Sequence, residues 1–186
     1  MNKKMCEQRY ALALMLFKQL KVLHRLPRTF AKILRIASYM YDLGRNVNNT
    51  NHVGNNYNAI ISAPIMGCTH KDLTLAAFVA SCNRWEDFNL SEWIRYKDMM
   101  TDEDLDAVKK LSNIVALADV FNIRNQEIIK DISCDILGDS VILKLMTDPD
   151  PKNVKVDPTL TEVEIFSSRK FSGEFTKAFK KTLEVL

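Results

Sequence analysis

Apolar residues recur at three- and four-residue intervals over the first forty positions of this chain. Leu12, Leu16, Leu20 and Leu23, flanked by Met15 and Phe17, predict one amphipathic helix over about residues 4–23. Pro27 suits the first turn of a second helix, whose inward stripe is Phe30, Ile33, Leu34, Ala37 and Met40, with Gly44 as its left-handed cap. The asparagine-rich run 45–52 predicts a loop, because Asn tolerates turn geometry and bonds to nearby backbone. A short helix through 57–64, broken at Pro64, comes next. Thr69 is the predicted N-cap, with Asp72 in the first turn, of a helix through 73–82. The segment 90–99 also reads as helix. Thr101, followed by Asp102, Glu103 and Asp104, opens the most regular helix, over 102–122, with Leu105, Val108, Leu111, Ile114, Val115 and Ala118 facing inward.

Beyond Asn122 the period shortens to two. Ile132, Cys134 and Ile136, then Val141, Leu143 and Leu145, alternate around Gly138-Asp139, the signature of a β-hairpin. The run 148–153 is a turn-rich break too short for an independent linker. Helix then returns with Leu160, Val163, Ile165 and Phe166 on one segment and 172–181 on another, and 182–186 is a candidate last strand. The predicted fold is mainly α, a helical bundle over 1–125 followed by a small C-terminal α+β lobe over 126–186.

Composition adds limits to this outline. At 186 residues, 47% hydrophobic and 26% charged, the chain reads as a soluble globular protein able to bury a real core. No apolar run reaches the roughly 18–20 residues that span a bilayer, and the first ten residues lack the pattern of a secretion signal, so a cytoplasmic location and no membrane partner are expected. Cys6, Cys68, Cys82 and Cys134 lie far apart without metal-site spacing and read as free thiols. The net charge of +3 conceals an asymmetry: residues 1–45 hold ten Lys and Arg against Glu7 and Asp42, or +8, leaving −5 for the remainder. The basic end is a candidate contact surface for polyanions, with a solvated helix face as the alternative.

Two carboxylates carry the candidate chemistry. Asp42 ends an apolar helix, where the carbonyl end of the helix dipole repels negative charge, so a compensating cation is expected. Asp119 stands in a strongly apolar helix and needs a partner too. A divalent Mg²⁺ or Mn²⁺ held by Asp42, Asp119 and His52 would satisfy both, and an ion pair with Arg45, Arg84 or Arg124 would do so equally. His24, at a helix end, suits a protonated imidazole; His70 follows an N-cap.

The stretches 34–44, 51–85 and 115–122, in that order and followed by the hairpin and the segment 175–186, resemble the C-terminal region of the exopolyphosphatase/guanosine pentaphosphate phosphatase family. The resemblance spans almost the whole chain and implies an HD-type helical domain followed by a small α/β lobe. It also implies an actin-like catalytic module elsewhere, in cis or in trans, since none of its glycine-rich phosphate loops is present here. The family's His-Asp pair becomes Tyr41-Asp42, and its His-x-His-x-x-Tyr element becomes His52-Val53-Gly54-Asn55-Asn56-Tyr57. A later Tyr-His-Arg becomes Cys82-Asn83-Arg84, the last aspartate is kept as Asp119, and the first histidine ligand is replaced by Met5 or Cys6. With most imidazoles gone, the resemblance implies at most a degenerate single-metal site, no catalytic residues and no certain cofactor.

These readings combine into an accessory module that binds polyphosphate or guanosine pentaphosphate, or supports assembly, including as a homodimer. Lys18, Lys21, Arg25, Arg28, Lys32 and Arg35, spaced by threes and fours across two helices, are the expected polyanion contacts. No aromatic and basic recognition motif favours nucleic acid. The alternatives are a degenerate but active metal-dependent HD phosphohydrolase and a purely structural dimerisation domain.

Overall fold

A computed structural model describes residues 2–43, 52–82, 88–124, 126–147 and 161–186, with His52 and Val53 described in backbone only. The described residues are mainly helical with a small three-stranded sheet. Helix α1 (Lys3–Gln19) is followed by a single turn, α2 (Lys21–His24), and by α3 (Phe30–Met40). Then come α4 (His52–Ile61), α5 (His70–Ser81), the short α6 (Leu90–Ile94) and the long α7 (Asp102–Phe121).

Helix α7 runs through the middle of the bundle. Val108, Leu111, Ile114, Val115 and Ala118 are at most 1% exposed, packed with Leu16 and Leu20 of the N-terminal region, Leu34 and Ala37 of α3 and Ala76 and Val79 of α5. Its start is fixed by a capping box: the Asp104 amide donates to Thr101 Oγ1 at 3.2 Å while Asp104 Oδ2 accepts from the Thr101 amide at 2.8 Å. Thr69 and Asp72 repeat the device at the start of α5, at 3.1 and 2.9 Å. Both starts fall where the sequence predicts them.

The helix predicted over 4–23 is divided. Its first part ends at Gln19, and α2 turns away at Leu20. The His24 imidazole explains the break, because its Nε2 lies 2.7 Å from the Phe17 carbonyl, the acceptor that the Lys21 amide would use in a continuous helix. Arg25 then ends α2 in the left-handed region, at φ 57°. The helix predicted over 90–99 is likewise short: α6 stops at Ile94 and continues as turns. Gly44 and the run 45–51 lie outside the described residues, as do 83–87 and the break 148–153; His52 already belongs to α4.

The hairpin forms as predicted. Strands β1 (Ile129–Leu137) and β2 (Ser140–Thr147) pair antiparallel with Leu137 opposite Ser140, and Gly138 adopts φ 52° in the two-residue turn. After α8 (Glu162–Ser168), a 3₁₀ turn (Arg169–Phe171) and α9 (Ser172–Phe179), the chain returns as β3 (Thr182–Val185), parallel to β2. A parallel neighbour needs a crossover of this length. Ile132, Val141, Leu143 and Phe175 are fully buried and continuous with the helical core.

Two of the apolar residues named on the helical segment 160–166 face solvent, and Leu160 lies outside the described residues. Val163 and Phe166 are 45% and 72% exposed, while Glu164 is 1% exposed and Ser168 1%. Arg124, at the end of α7, compensates Glu164 through a two-pronged bond, Nε to Oε1 at 2.9 Å and Nη2 to Oε2 at 2.5 Å. Among the described residues no helix is long and apolar enough to cross a membrane.

Candidate functional site

Asp42 and Asp119 meet at one residue, Arg9. It lies on α1 at the heptad-like spacing Cys6, Arg9, Ala13, Leu16, on the face turned toward the core, and is 1% exposed. Its fork addresses three groups. Nε donates to Asp119 Oδ1 on α7 at 2.8 Å, Nη1 donates to the Ser38 carbonyl in the last turn of α3 at 3.1 Å, and Nη2 donates to Asp42 Oδ2 just past the end of that helix. The guanidinium carbon sits 5.0 Å from the centre of the Tyr41 ring, adding a cation–π contact.

The physics of this arrangement answers the two sequence problems together. The negative end of α3 receives a cation that bonds both its carbonyl and its trailing carboxylate. The buried guanidinium is in turn matched by two carboxylates; burial alone draws the Arg9 pKa down, but Asp119 and Asp42 more than offset this and hold it above its ordinary value. Arg9 is therefore a permanent cation joining α1, α3 and α7. Cys6, one turn earlier, is fully buried beside it, and burial pushes its thiol pKa up even though Arg9 pulls it down.

Of the cations named as partners from sequence, Arg124 belongs to Glu164, and Arg45 and Arg84 lie outside the described residues. The signal for Arg9 was present as a charged residue on the apolar side of α1. The remaining positions of the expected metal set divide. His52 opens α4, with its side chain outside the described residues, and Asn83 is also outside them. Among the described residues, no three His, Cys, Asp or Glu side chains are grouped as they would be to hold a metal ion. Asn56, in the fifth position of the His52–Tyr57 element, is buried and donates from Nδ2 to the Tyr41 carbonyl, tying α4 to the end of α3. Tyr57 packs 5.1 Å from Phe78, and its phenol is held far above its ordinary pKa, first by burial and then by Tyr96, so it stays neutral.

His24 differs from its expected state. Nδ1 accepts the Leu26 amide at 2.9 Å, which places the proton on Nε2 facing Phe17 O, and the ring stacks on Phe17 at 4.2 Å. Burial lowers its pKa below 6.5, and Lys110 and Lys21 act in the same direction against the Phe17 bond. It is a neutral structural histidine. His70 lies against Tyr96 at 5.8 Å.

The six expected polyanion contacts separate into groups. Lys32 turns toward α5, its ammonium 2.6 Å from Asp72 Oδ2 and 3.3 Å from Gly67 O. Arg35 covers Tyr10 and Tyr39 at 5.9 and 5.8 Å. Lys18, Lys21 and Arg28 instead surround one open groove of about 450 Å³ between α1, α2 and the start of α3, and no carboxylate among the described residues pairs with any of them. Arg25 stands exposed on the adjoining turn. Comparison of the chain with protein-family models gives no match, and comparison with curated proteins gives none either.

Proposed function

We propose that this chain is a non-catalytic, polyanion-binding helical domain of the HD type, similar to the C-terminal region of exopolyphosphatase/guanosine pentaphosphate phosphatase proteins and acting beside an actin-like module in cis or in trans. The observation that carries the reading is the set of cations around the groove. Most other described basic side chains have a carboxylate, carbonyl or ring as partner, whereas Lys18, Lys21 and Arg28 converge on shared space with none. Three ammonium and guanidinium groups around one groove raise the local potential for a phosphate chain.

Arg9 supports the non-catalytic half of the reading. A hydrolytic metal at Asp42 and Asp119 would have to compete with a buried guanidinium that already bonds both. On this reading, Arg9 takes the place between the two aspartates that a metal would otherwise hold.

The test is binding of inorganic polyphosphate by calorimetry at several salt concentrations. The reading expects binding that weakens steeply with salt and falls at least tenfold in a Lys18→Glu/Arg28→Glu variant, with Lys32→Ala close to wild type. Equal loss in Lys32→Ala, or no binding at low salt, overturns it.

A further inference from the structure

Apart from the basic groove, a pocket of about 330 Å³ lies where α1 meets the end of α7 and the start of β1. Lys4, Gln8, Ala11 and Met15, spaced by fours and threes, bring one face of α1 to it, and Ile128 comes from the connection before β1. Its charged lining is balanced, with Lys4, Arg124 and Lys130 against Glu7, Glu127 and Glu164. Lys4 Nζ stands 3.5 Å from Glu127 Oε1, and Arg124 is bonded to Glu164. Unlike the groove around Lys18, Lys21 and Arg28, such a pocket offers a polyanion no net charge.

Gln8 stands apart from these matched groups. Asn122, which lines the same pocket, donates from Nδ2 to the Met5 carbonyl at 3.0 Å. Gln8 Oε1 and Nε2 are both closed off from solvent, and neither has a hydrogen-bond partner among the described residues. A carboxamide holds two donors and an acceptor, and folded proteins nearly always avoid leaving such groups dry and unmade. The residue as a whole is only half-buried, so a turn about its side-chain torsions brings the amide to the pocket and breaks no existing bond. Another uncharged amide answers it best, because its N–H and C=O pair with Oε1 and Nε2 in both directions at once. A carboxylate would satisfy Nε2 alone and bring a charge that the balanced lining does not offset. We infer that this pocket binds a small uncharged ligand that presents a primary amide to Gln8 and an aliphatic body to Ala11, Met15 and Ile128. A volume of about 330 Å³ is at the lower end of the range for small-ligand sites, which favours a single small molecule over a peptide chain. The inference is independent of the polyanion reading.

The test is an NMR titration of the intact chain that follows its glutamine side-chain amides, with the Gln8 signal assigned by its loss in Gln8→Met. The probe is 4-methylpentanamide, compared with the methyl ester and the carboxylate of the same acid, which keep its aliphatic body without the N–H donors. The amide is expected to shift the Gln8 Nε2 signal and to bind about tenfold tighter than the ester or the carboxylate, or more. Gln8→Met removes that preference. It also leaves the urea midpoint unchanged or higher, because an apolar chain of similar length replaces an unmet amide. The Lys18→Glu/Arg28→Glu variant binds the amide as wild type does. Equal affinity for amide and ester, an unmoved Gln8 signal, or a preference that survives Gln8→Met overturns the inference, as does loss of amide binding in the groove variant. A lower urea midpoint in Gln8→Met shows that the amide is already partnered in the folded chain and overturns it too. Tighter binding of N-acetyl-trialanine amide than of 4-methylpentanamide makes the pocket part of a peptide groove and overturns the small-molecule assignment.

Discussion

Arg9 Nε donates to Asp119 Oδ1 at 2.8 Å across 110 positions of sequence, and the same guanidinium reaches Asp42. This relationship makes Arg9 the junction of three helices and sets the first prediction. Arg9→Ala removes the buried guanidinium from two partly buried carboxylates and is expected to cost about 3–5 kcal/mol, the range for breaking a buried pair from one side. Arg9→Lys, which supplies one point charge for a three-way fork, recovers part of that loss. Urea denaturation of the two variants checks the order; an Arg9→Ala loss under about 1 kcal/mol would show that the junction is dispensable.

Glu164 and Arg124 form the corresponding junction between α7 and the C-terminal lobe. Glu164 has 2% of its side chain exposed and Arg124 29%. Glu164→Ala is expected to destabilise by about 3 kcal/mol and Arg124→Ala by a similar amount, with the double variant costing less than their sum. A double-mutant cycle followed by denaturation measures this coupling, and strict additivity would refute it.

His24 makes stability depend on pH near neutrality. Its folded pKa lies below the unfolded value of 6.5, so between the two values the unfolded chain binds more protons and stability rises with pH. Stability is expected to fall as the pH drops below 6.5, and His24→Gln, which keeps a donor toward Phe17 O, flattens that slope. Denaturation midpoints measured from pH 7.5 to 5 test it, alongside an NMR signature of a proton on Nε2.

The capped carboxylates act at lower pH. Burial tends to raise the pKa of Asp104, but the Lys71 ammonium 2.6 Å away and the bonds from Thr101 lower it below 3.8, and Lys32 and Thr69 do the same for Asp72. A depressed folded pKa gives stability that is complete above 3.8 and lost as pH falls through the folded value. Thr101→Ala is expected to cost about 1 kcal/mol at neutral pH. Asp104→Asn is expected to cost stability at neutral pH and progressively less as the pH falls and the wild-type carboxyl takes up its proton. A constant difference between Asp104→Asn and wild type across that range would contradict the assignment.

Local chemistry made much of this architecture legible. Thr69 and Thr101 announce helix starts because a hydroxyl three residues before a carboxylate forms a capping box with little help from the rest of the chain. Gly138-Asp139 announces the hairpin because the turn needs a positive φ, and the stripe from Val108 to Ala118 announces a buried helix because 3.6-residue periodicity puts those side chains on one face. The need of Asp42 and Asp119 for a cation was legible too, since a helix dipole and an apolar neighbourhood are both sequence properties.

Which cation answers that need was a tertiary decision. Arg9 is 33 residues from Asp42 and 110 from Asp119, and only the packing of α1 against α3 and α7 brings the three together. The same holds for Glu164, whose burial depends on Arg124 arriving at the end of α7, and for His24, whose charge state follows from the broken helix that folds it back on Phe17. It holds for the basic residues as well: sequence spacing ranked six cations alike, and the fold gave Lys32 to Asp72 and Arg35 to two tyrosines while leaving Lys18, Lys21 and Arg28 around one groove. Periodicity and capping act within one or two turns of chain, so they mark most elements along it but not the break that His24 makes after Gln19; the partner of a charge is set by distance in space and follows from how the helices pack.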